Sequence, residues 1–149
     1  MNDRFKTFTI LIYSISRSIR KIKSQEMLEF GLKSTHVSIL YYLYKEDGLT
    51  ARELCDVCEE DKAAVSRSID FLEKSGYIEC KSKTEKRYKS PLKLTQSGKE
   101  IAKQIVEKID HILQDASIGL TEENRKIFYE SLSLICDNLK QICNKHEDK

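Results

Sequence analysis

The fold is decided by the stretch DKAAVSRSIDFLEKSGYI, residues 61–78. This stretch predicts a short amphipathic helix, because Val65, Ile69 and Leu72 recur at helical spacing and form one apolar side. The other side carries small or hydrogen-bonding side chains: Lys62, Ala63, Ala64, Ser66 and Arg67. A helix that enters the major groove of DNA needs a front without bulk, so that its backbone can approach the base edges. The pattern favours a DNA-reading helix, with an ordinary surface helix as the alternative.

A basic stretch follows this helix. Between residues 81 and 99 the chain has seven basic side chains against one acidic side chain, Glu85. The basic residues are Lys81, Lys83, Lys86, Arg87, Lys89, Lys93 and Lys99. The formal charge of the whole chain is only +2, so the signal lies in the distribution of charge and not in its total. A basic stripe beside a candidate recognition helix indicates a surface that binds phosphates.

Length and composition favour one globular domain. The chain has 149 residues, of which 34% are charged and 40% are apolar. Its first long apolar run, residues 8–15, is interrupted by polar residues and is far shorter than the roughly 20 residues that a membrane span requires. The run also lacks the cleavage site of a signal peptide. The five cysteines are an odd, scattered set, which argues against a secreted disulfide scaffold. We therefore expect a cytoplasmic protein without membrane contact.

Three further helices and a hairpin surround the recognition helix. Ser34 or Thr35 can cap a helix that extends to Lys45, with Val37, Leu40, and Leu43 or Tyr44 facing inward. Thr50 and Glu53 match a capping box, which starts a short helix through Cys58. Within that helix, Leu54 and either Val57 or Cys58 are expected to be buried.

A hairpin and a long helix complete this order. Asp61 is suited to cap the candidate recognition helix, and Gly76 to end it. Residues 78–83 and 90–94 read as two strands, and Thr95 caps the helix after them. This order of elements predicts a winged helix-turn-helix at about residues 34–96.

Long apolar stripes lie at both ends of the chain. The first consists of Phe5, Phe8, Ile12, Ile15, Ile19 and Ile22, and the last of Phe128, Leu132, Ile135, Leu139 and Ile142. A third stripe consists of Ile101, Ile105, Ile109 and Ile112. The first and last stripes repeat about every 3.5 residues, which is typical of helices that pack along one another. One chain could bury them in its own core, but we prefer a homodimer with dimerisation helices at about residues 3–30 and 97–145. The predicted fold is thus mainly α with a small two-stranded β wing, in a single domain, 1–149.

The chain resembles the MarR family of bacterial transcriptional regulators over nearly its whole length. The resemblance is carried by Glu53-Leu54, Asp61-Lys62, Val65-Ser66-Arg67, Leu72-Glu73, Gly76-Tyr77-Ile78, Glu85-Lys86-Arg87 and Leu94-Thr95-x-x-Gly98. It implies a homodimer that represses transcription from a near-palindromic operator until a small ligand, a metal or an oxidant relieves it. Two features depart from the family pattern: Glu85 replaces the usual aspartate, and residues 87–94 are about one residue longer than the commonest wing.

These arguments together assign the DNA-binding residues. They are Thr50, Arg52, Lys62, Ala63, Ala64, Ser66, Arg67, Lys86, Arg87 and Tyr88. The expected partners are a double-stranded DNA operator with an inverted repeat, a second copy of the chain and a small-molecule effector. No cofactor or metal is assigned, and the effector pocket is not identified by the sequence. No catalytic motif is present, so we expect no enzymatic activity.

Two alternatives of a different class remain. One is a metal- or thiol-responsive regulator of the same fold. The metal site would use His111 with Glu107 and Asp115 one turn away on either side, with His36 as a further candidate ligand. The thiol alternative, or the start of a zinc site, would use the pair Cys55 and Cys58, for which we favour a structural role. The other is a winged-helix protein-interaction module that does not bind DNA.

Overall fold

The computed structural model describes residues 3–4, 6–58, 60–81 and 89–147. The helices are α1 (Leu11–Glu26), α2 (Ser34–Lys45), α3 (Ala51–Cys58), α4 (Lys62–Lys74), α5 (Gln96–Ala116) and α6 (Glu122–Glu147). A π-helical turn, Lys6–Ile10, precedes α1, and a 3-10 turn, Leu28–Phe30, follows it. Two strands, β1 (Ile78–Cys80) and β2 (Leu92–Leu94), pair antiparallel. The predicted fold class, mainly α with a two-stranded wing, is confirmed.

The core of the winged helix is formed by apolar side chains from every element between α2 and α5. The largest fully buried side chains in this region are Val37, Ile39, Leu40, Leu54, Val65, Leu72, Leu92 and Ile105. The inward faces that periodicity predicted for α2 and α4 are therefore correct. Burial of these side chains supplies the main free energy that holds three short helices together, because helices of this length are marginal in isolation.

The wing is joined to the start of α3. Ile78 pairs with Leu94 and Cys80 pairs with Leu92 across the two strands. The segment before α3 adds a third partner, since Thr50 forms a bridge with Pro91 and the backbone N–H of Leu92 donates to the carbonyl of Leu49 at 3.0 Å. The base of the hairpin is thus held to the helix-turn-helix by backbone hydrogen bonds.

Three local predictions are wrong. Ser34 and Thr35 lie inside α2, whose cap is Lys33. The strands are shorter than predicted, because Lys81 and Ser90 lie outside them and Pro91, which has no backbone N–H to donate, forms only the bridge to Thr50. On α3, Val57 is exposed and Cys58 is half-buried, so the buried residues of this helix are Ala51 and Leu54.

The chain divides into two compact units, residues 1–108 and residues 109–149. In the first unit, the stripe of α1 remains exposed, with Phe8, Ile12, Ile15 and Ile19 all more than one third accessible. In the second unit, α6 has no buried side chain among its described residues. The single domain expected from the sequence stays a prediction. Within the described residues, no helix combines the length and the apolar character needed to cross a lipid bilayer.

Candidate nucleic-acid interface

The recognition helix α4 begins at a side-chain cap. Asp61 is extended, and its Oδ1 accepts the backbone N–H of Ala64 at 2.8 Å. Aspartate suits this position because its carboxylate satisfies a free N–H and its charge opposes the positive end of the helix dipole. The predicted cap is therefore confirmed, and it sets where the first turn of α4 starts.

The two sides of α4 differ as the sequence predicted. Val65, Ile69 and Leu72 are buried against the rest of the winged helix. The front is exposed at Lys62, Ala63, Ser66 and Arg67, whereas Ala64 is half-buried. The structure thus brings the predicted DNA-binding residues of this helix onto one accessible surface, where small side chains lie between a lysine and an arginine.

The C-terminal end of α4 is closed by Gly76. Its backbone has a φ of 76°, in the left-handed region that glycine enters without strain. The N–H of Gly76 donates to the carbonyl of Glu73, and the N–H of Tyr77 donates to that of Leu72. This is a Schellman motif, which satisfies carbonyls that the helix leaves free. The chain then turns directly into β1.

Thr95 and Gly98 attach this turn to the start of α5. The Thr95 hydroxyl donates to the carbonyl of Gly76 at 2.6 Å and accepts the N–H of Gly98 at 3.0 Å. The N–H of Thr95 donates to the carbonyl of Tyr77. A Cβ on Gly98 would lie 1.8 Å from the Tyr77 carbonyl oxygen, so only glycine permits this approach. The Leu94-Thr95-x-x-Gly98 motif therefore fixes the end of the recognition helix to α5.

The start of α3 has the predicted capping box. The N–H of Glu53 donates to Thr50 Oγ1 at 3.2 Å, and the N–H of Thr50 donates to Glu53 Oε2 at 2.8 Å. The Thr50 hydroxyl also donates to Glu53 Oε2 at 2.8 Å. The backbone and hydroxyl bonds from Thr50 lower the pKa of Glu53. The Thr50 hydroxyl is therefore already used as donor and acceptor, whereas Arg52 on the same turn is exposed.

His36 connects α2 to the recognition helix. Its ring stacks on that of Phe71 with centroids 4.3 Å apart and planes 2° from parallel. Its Nδ1 accepts the N–H of Lys33 at 3.1 Å, which caps the start of α2. Burial, and secondarily the charge of Lys33, lower the pKa of His36. The sequence analysis missed this role, because a stack between residues 35 positions apart leaves no local signal.

The base of the wing carries two lysines, Lys81 and Lys93, near the carboxylates of Asp47 and Glu79. Lys93 Nζ lies 3.5 Å from Asp47 Oδ2, and its side chain also contacts that of Lys81. Contact with Lys93 lowers the pKa of Lys81, and the pKa of Lys93 is raised mainly by the same contact. The predicted tip residues Lys86, Arg87 and Tyr88 lie outside the described residues, as do Lys83 and Glu85.

The surroundings of the cysteines and of the potential metal ligands bear on the alternative functions. Cys55 and Cys58 are half-buried on α3, and burial raises the pKa of Cys58 to about 11. A reactive cysteine needs a lowered pKa, so the environment of Cys58 opposes that role.

Lys23 Nζ donates to Ser38 Oγ at 2.9 Å, which links α1 to α2, and burial lowers the pKa of Lys23. No group of three or more metal-ligating side chains is close enough to hold an ion within the described part of the chain.

Comparison with known proteins identifies the same architecture. A family profile described as a winged helix DNA-binding domain matches residues 35–113. The uncharacterized HTH-type transcriptional regulator YwoH of Bacillus subtilis (strain 168) is 29% identical over 121 residues, which cover 79% of this chain and 88% of YwoH. The profile spans α2 to most of α5, so it includes every element of the interface described above.

Solved structures have the same fold. The MarR protein from Peptoclostridium difficile DA00132 superposes with a TM-score of 0.81 at 19% identity, over 95% of this chain and 90% of that protein. The MepR–DNA complex of S. aureus superposes with a TM-score of 0.76 at 22% identity, over 89% of this chain and 97% of MepR. The second of these structures contains DNA bound to a protein of this fold.

Proposed function

Since the chain belongs to the family of winged helix DNA-binding domains and has the fold of MarR-type regulators, we propose that it is a dimeric, sequence-specific transcriptional repressor. The observation that supports this function best is the front of α4. Lys62, Ala63, Ser66 and Arg67 are exposed together on a helix whose two ends are fixed by Asp61 and Gly76. We assign the protein no enzymatic role, and we place its action in the cytoplasm, where its DNA would lie.

In the proposed complex, α4 enters the major groove. Arg67 is suited to read a guanine, because a guanidinium can donate two hydrogen bonds to its edge. Ser66 and Lys62 would contact a base or a phosphate, while Ala63 and Ala64 allow the backbone to come close. Arg52 is a further phosphate contact, and the basic wing follows the adjacent backbone. Thr50 donates both its hydroxyl and its backbone N–H to Glu53, so the phosphate contact that we assign to it requires the hydroxyl to turn from Glu53 towards the phosphate.

A homodimer would place two such helices on one operator. The exposed apolar faces of α1 and α6 supply surface that a single chain leaves in water. Two identical reading helices related by a twofold axis require an inverted repeat, with half-sites about one helical turn apart. We propose that a small-molecule effector relieves repression. A metal- or thiol-responsive regulator of the same fold is the alternative, and the raised pKa of Cys58 argues against thiol sensing by that residue.

The test is binding to DNA from the protein's own promoter region, measured by fluorescence anisotropy against a scrambled fragment of equal length. We expect saturable binding to the promoter and weaker binding to the scrambled DNA. Arg67→Ala should weaken promoter binding by about 1–3 kcal/mol, and it should reduce the preference for the promoter, because a base contact carries specificity.

A matched variant separates base reading from charge. Lys103→Ala removes one exposed cation from α5, where Lys103 Nζ lies 4.0 Å from the carboxylate of Glu107. This variant should leave the preference for the promoter over the scrambled fragment unchanged. Equal binding of both fragments by the wild type would show that the protein does not read sequence. Absence of any DNA binding by a folded dimer would instead favour the protein-interaction module.

A further inference from the structure

The predicted recognition helix is supported by a buried histidine on α2. His36 is 6% exposed, and its ring lies flat against Phe71 on α4. Phe71 is one helical turn after Arg67, so the two side chains are neighbours on one flank of the helix. The stack is therefore the contact with α2 that lies next to the predicted base-reading arginine.

The hydrogen bond of His36 requires the neutral ring. Nδ1 accepts the N–H of Lys33, which places the proton of the neutral imidazole on Nε2. A proton on Nδ1 would remove the acceptor and leave the Lys33 N–H unsatisfied. It would also place a cation at the N-terminus of α2, where the helix dipole is unfavourable for positive charge.

We propose that His36 is a positioning residue for DNA binding: its neutral ring holds α4 in the binding conformation through Phe71, and its protonation weakens operator binding. The inference rests on the proposed function, because it concerns the regulation of the same interface. Protonation would act on two contacts at once, the cap of α2 and the stack that α2 makes with α4.

The charges around the stack favour the neutral state. The charged groups nearest to it along the two helices are Lys33 on α2 and Arg67, Asp70 and Lys74 on α4. Lys23 reaches the next turn of α2 from α1, where it bonds to Ser38. Of these groups, Lys33 is the one that shifts the pKa of His36, and it acts in the same direction as burial. Since the pKa is lowered, the stabilisation is complete above the ordinary value of 6.5 and is lost as the pH falls from there through the lowered pKa.

The predicted effect of acid is opposite in sign to the general electrostatic effect. Protonation of exposed histidines adds positive charge, which by itself strengthens attraction to DNA phosphates. Loss of the His36 contacts weakens binding instead. A fall in affinity on acidification at constant salt would therefore not be explained by the net charge of the protein.

The experiment compares wild type with His36→Gln from about pH 8 to about pH 5.5 at constant ionic strength. Glutamine is a natural capping-box residue at this position, so it can still accept the Lys33 N–H, but it does not titrate. The wild type should lose about tenfold in promoter affinity, the effect of leaving one buried donor unsatisfied. The promoter affinity of His36→Gln should stay constant or rise slightly as the pH falls. In the wild type, the NMR signal of the Lys33 amide should change in step with the loss.

Three outcomes would overturn the inference. One is a wild-type affinity that stays constant or rises as the pH falls. The second is an equal loss in His36→Gln, which would assign the effect to another group. The third is global unfolding of the wild type at the lower pH, detected by circular dichroism. In each of these cases, binding to the promoter at about pH 8 would still support the proposed function, and only the role of His36 would be rejected.

Discussion

Asp61, Thr50 and Glu53 behave as the sequence predicted because capping is local. Each needs only a polar side chain three residues from a free backbone N–H, and that spacing is visible in the sequence. His36 could not be predicted in this way. Its stacking partner is 35 residues away, and the cap that it completes begins at a lysine, which is not a usual capping residue. The caps of α3 and α4 were therefore predictable from the sequence, whereas the unusual cap of α2 and the distant stack of His36 were not.

Gly98 allows a stability prediction at a single position. Gly98→Ala should lower the free energy of unfolding by about 3 kcal/mol, because its Cβ would overlap the Tyr77 carbonyl oxygen, a backbone atom that cannot move aside easily. The corresponding fall in melting temperature is about 10 °C. Thermal denaturation followed by circular dichroism measures it. Ser97→Ala, at an exposed position of the same helix turn, is the control and should melt like the wild type. An unchanged melt for Gly98→Ala would mean that this close approach does not exist.

The helices were predictable as elements, but the wing was predictable only in part. Apolar periodicity located α2, α4, α5 and α6, because a helix must bury one side or pair it with a partner. The strands are short, and backbone bonds to Leu49 and Thr50 hold them in place instead of a strong alternating pattern. Such pairing joins residues about 40 positions apart along the chain, which periodicity does not detect.

The wing allows a prediction about salt dependence. Its base is held by the β1–β2 pairing and by the bridge from Thr50 to Pro91. Arg87, which lies outside the described residues, is the residue we assign to the minor groove, since a guanidinium is weakly hydrated and enters that negative potential readily. Arg87→Ala should weaken binding to operator and to random DNA together, and should reduce the salt dependence by about one counterion per wing.

Affinity measured across a salt series gives the slope for the wing variant. Lys103→Ala serves again as the control, since it removes the same charge from α5. The melting temperature of Arg87→Ala should match that of the wild type if the residue contributes only to binding. A normal melt with an unaltered slope would show that the wing does not touch DNA.

At the level of the whole chain, the exposed apolar surface calls for a partner. On α6, Phe128, Leu139 and Ile142 are each about half exposed, and they belong to one stripe that repeats every three or four residues. A stripe of this regularity is typical of a helix that packs along another helix. Contiguous apolar surface of this kind is rare on monomeric proteins. A second copy of the chain has the same stripe, and we propose it as the partner, through an interface that would use the same residues twice.

The dimer is tested by sedimentation velocity. At micromolar concentration the wild type should sediment with about twice the 17.3 kDa mass of one chain. Ile142→Glu should shift it towards the monomer, because the interface would have to bury an unpaired carboxylate. The monomer should keep its helical content, since Ile142 is 52% exposed and fills no core position in one chain. Gln141→Glu adds the same charge to the opposite side of α6, and should remain dimeric. A wild type that stays at the mass of one chain would exclude the dimer, and with it the argument for an inverted repeat, because one recognition helix reads only one half-site.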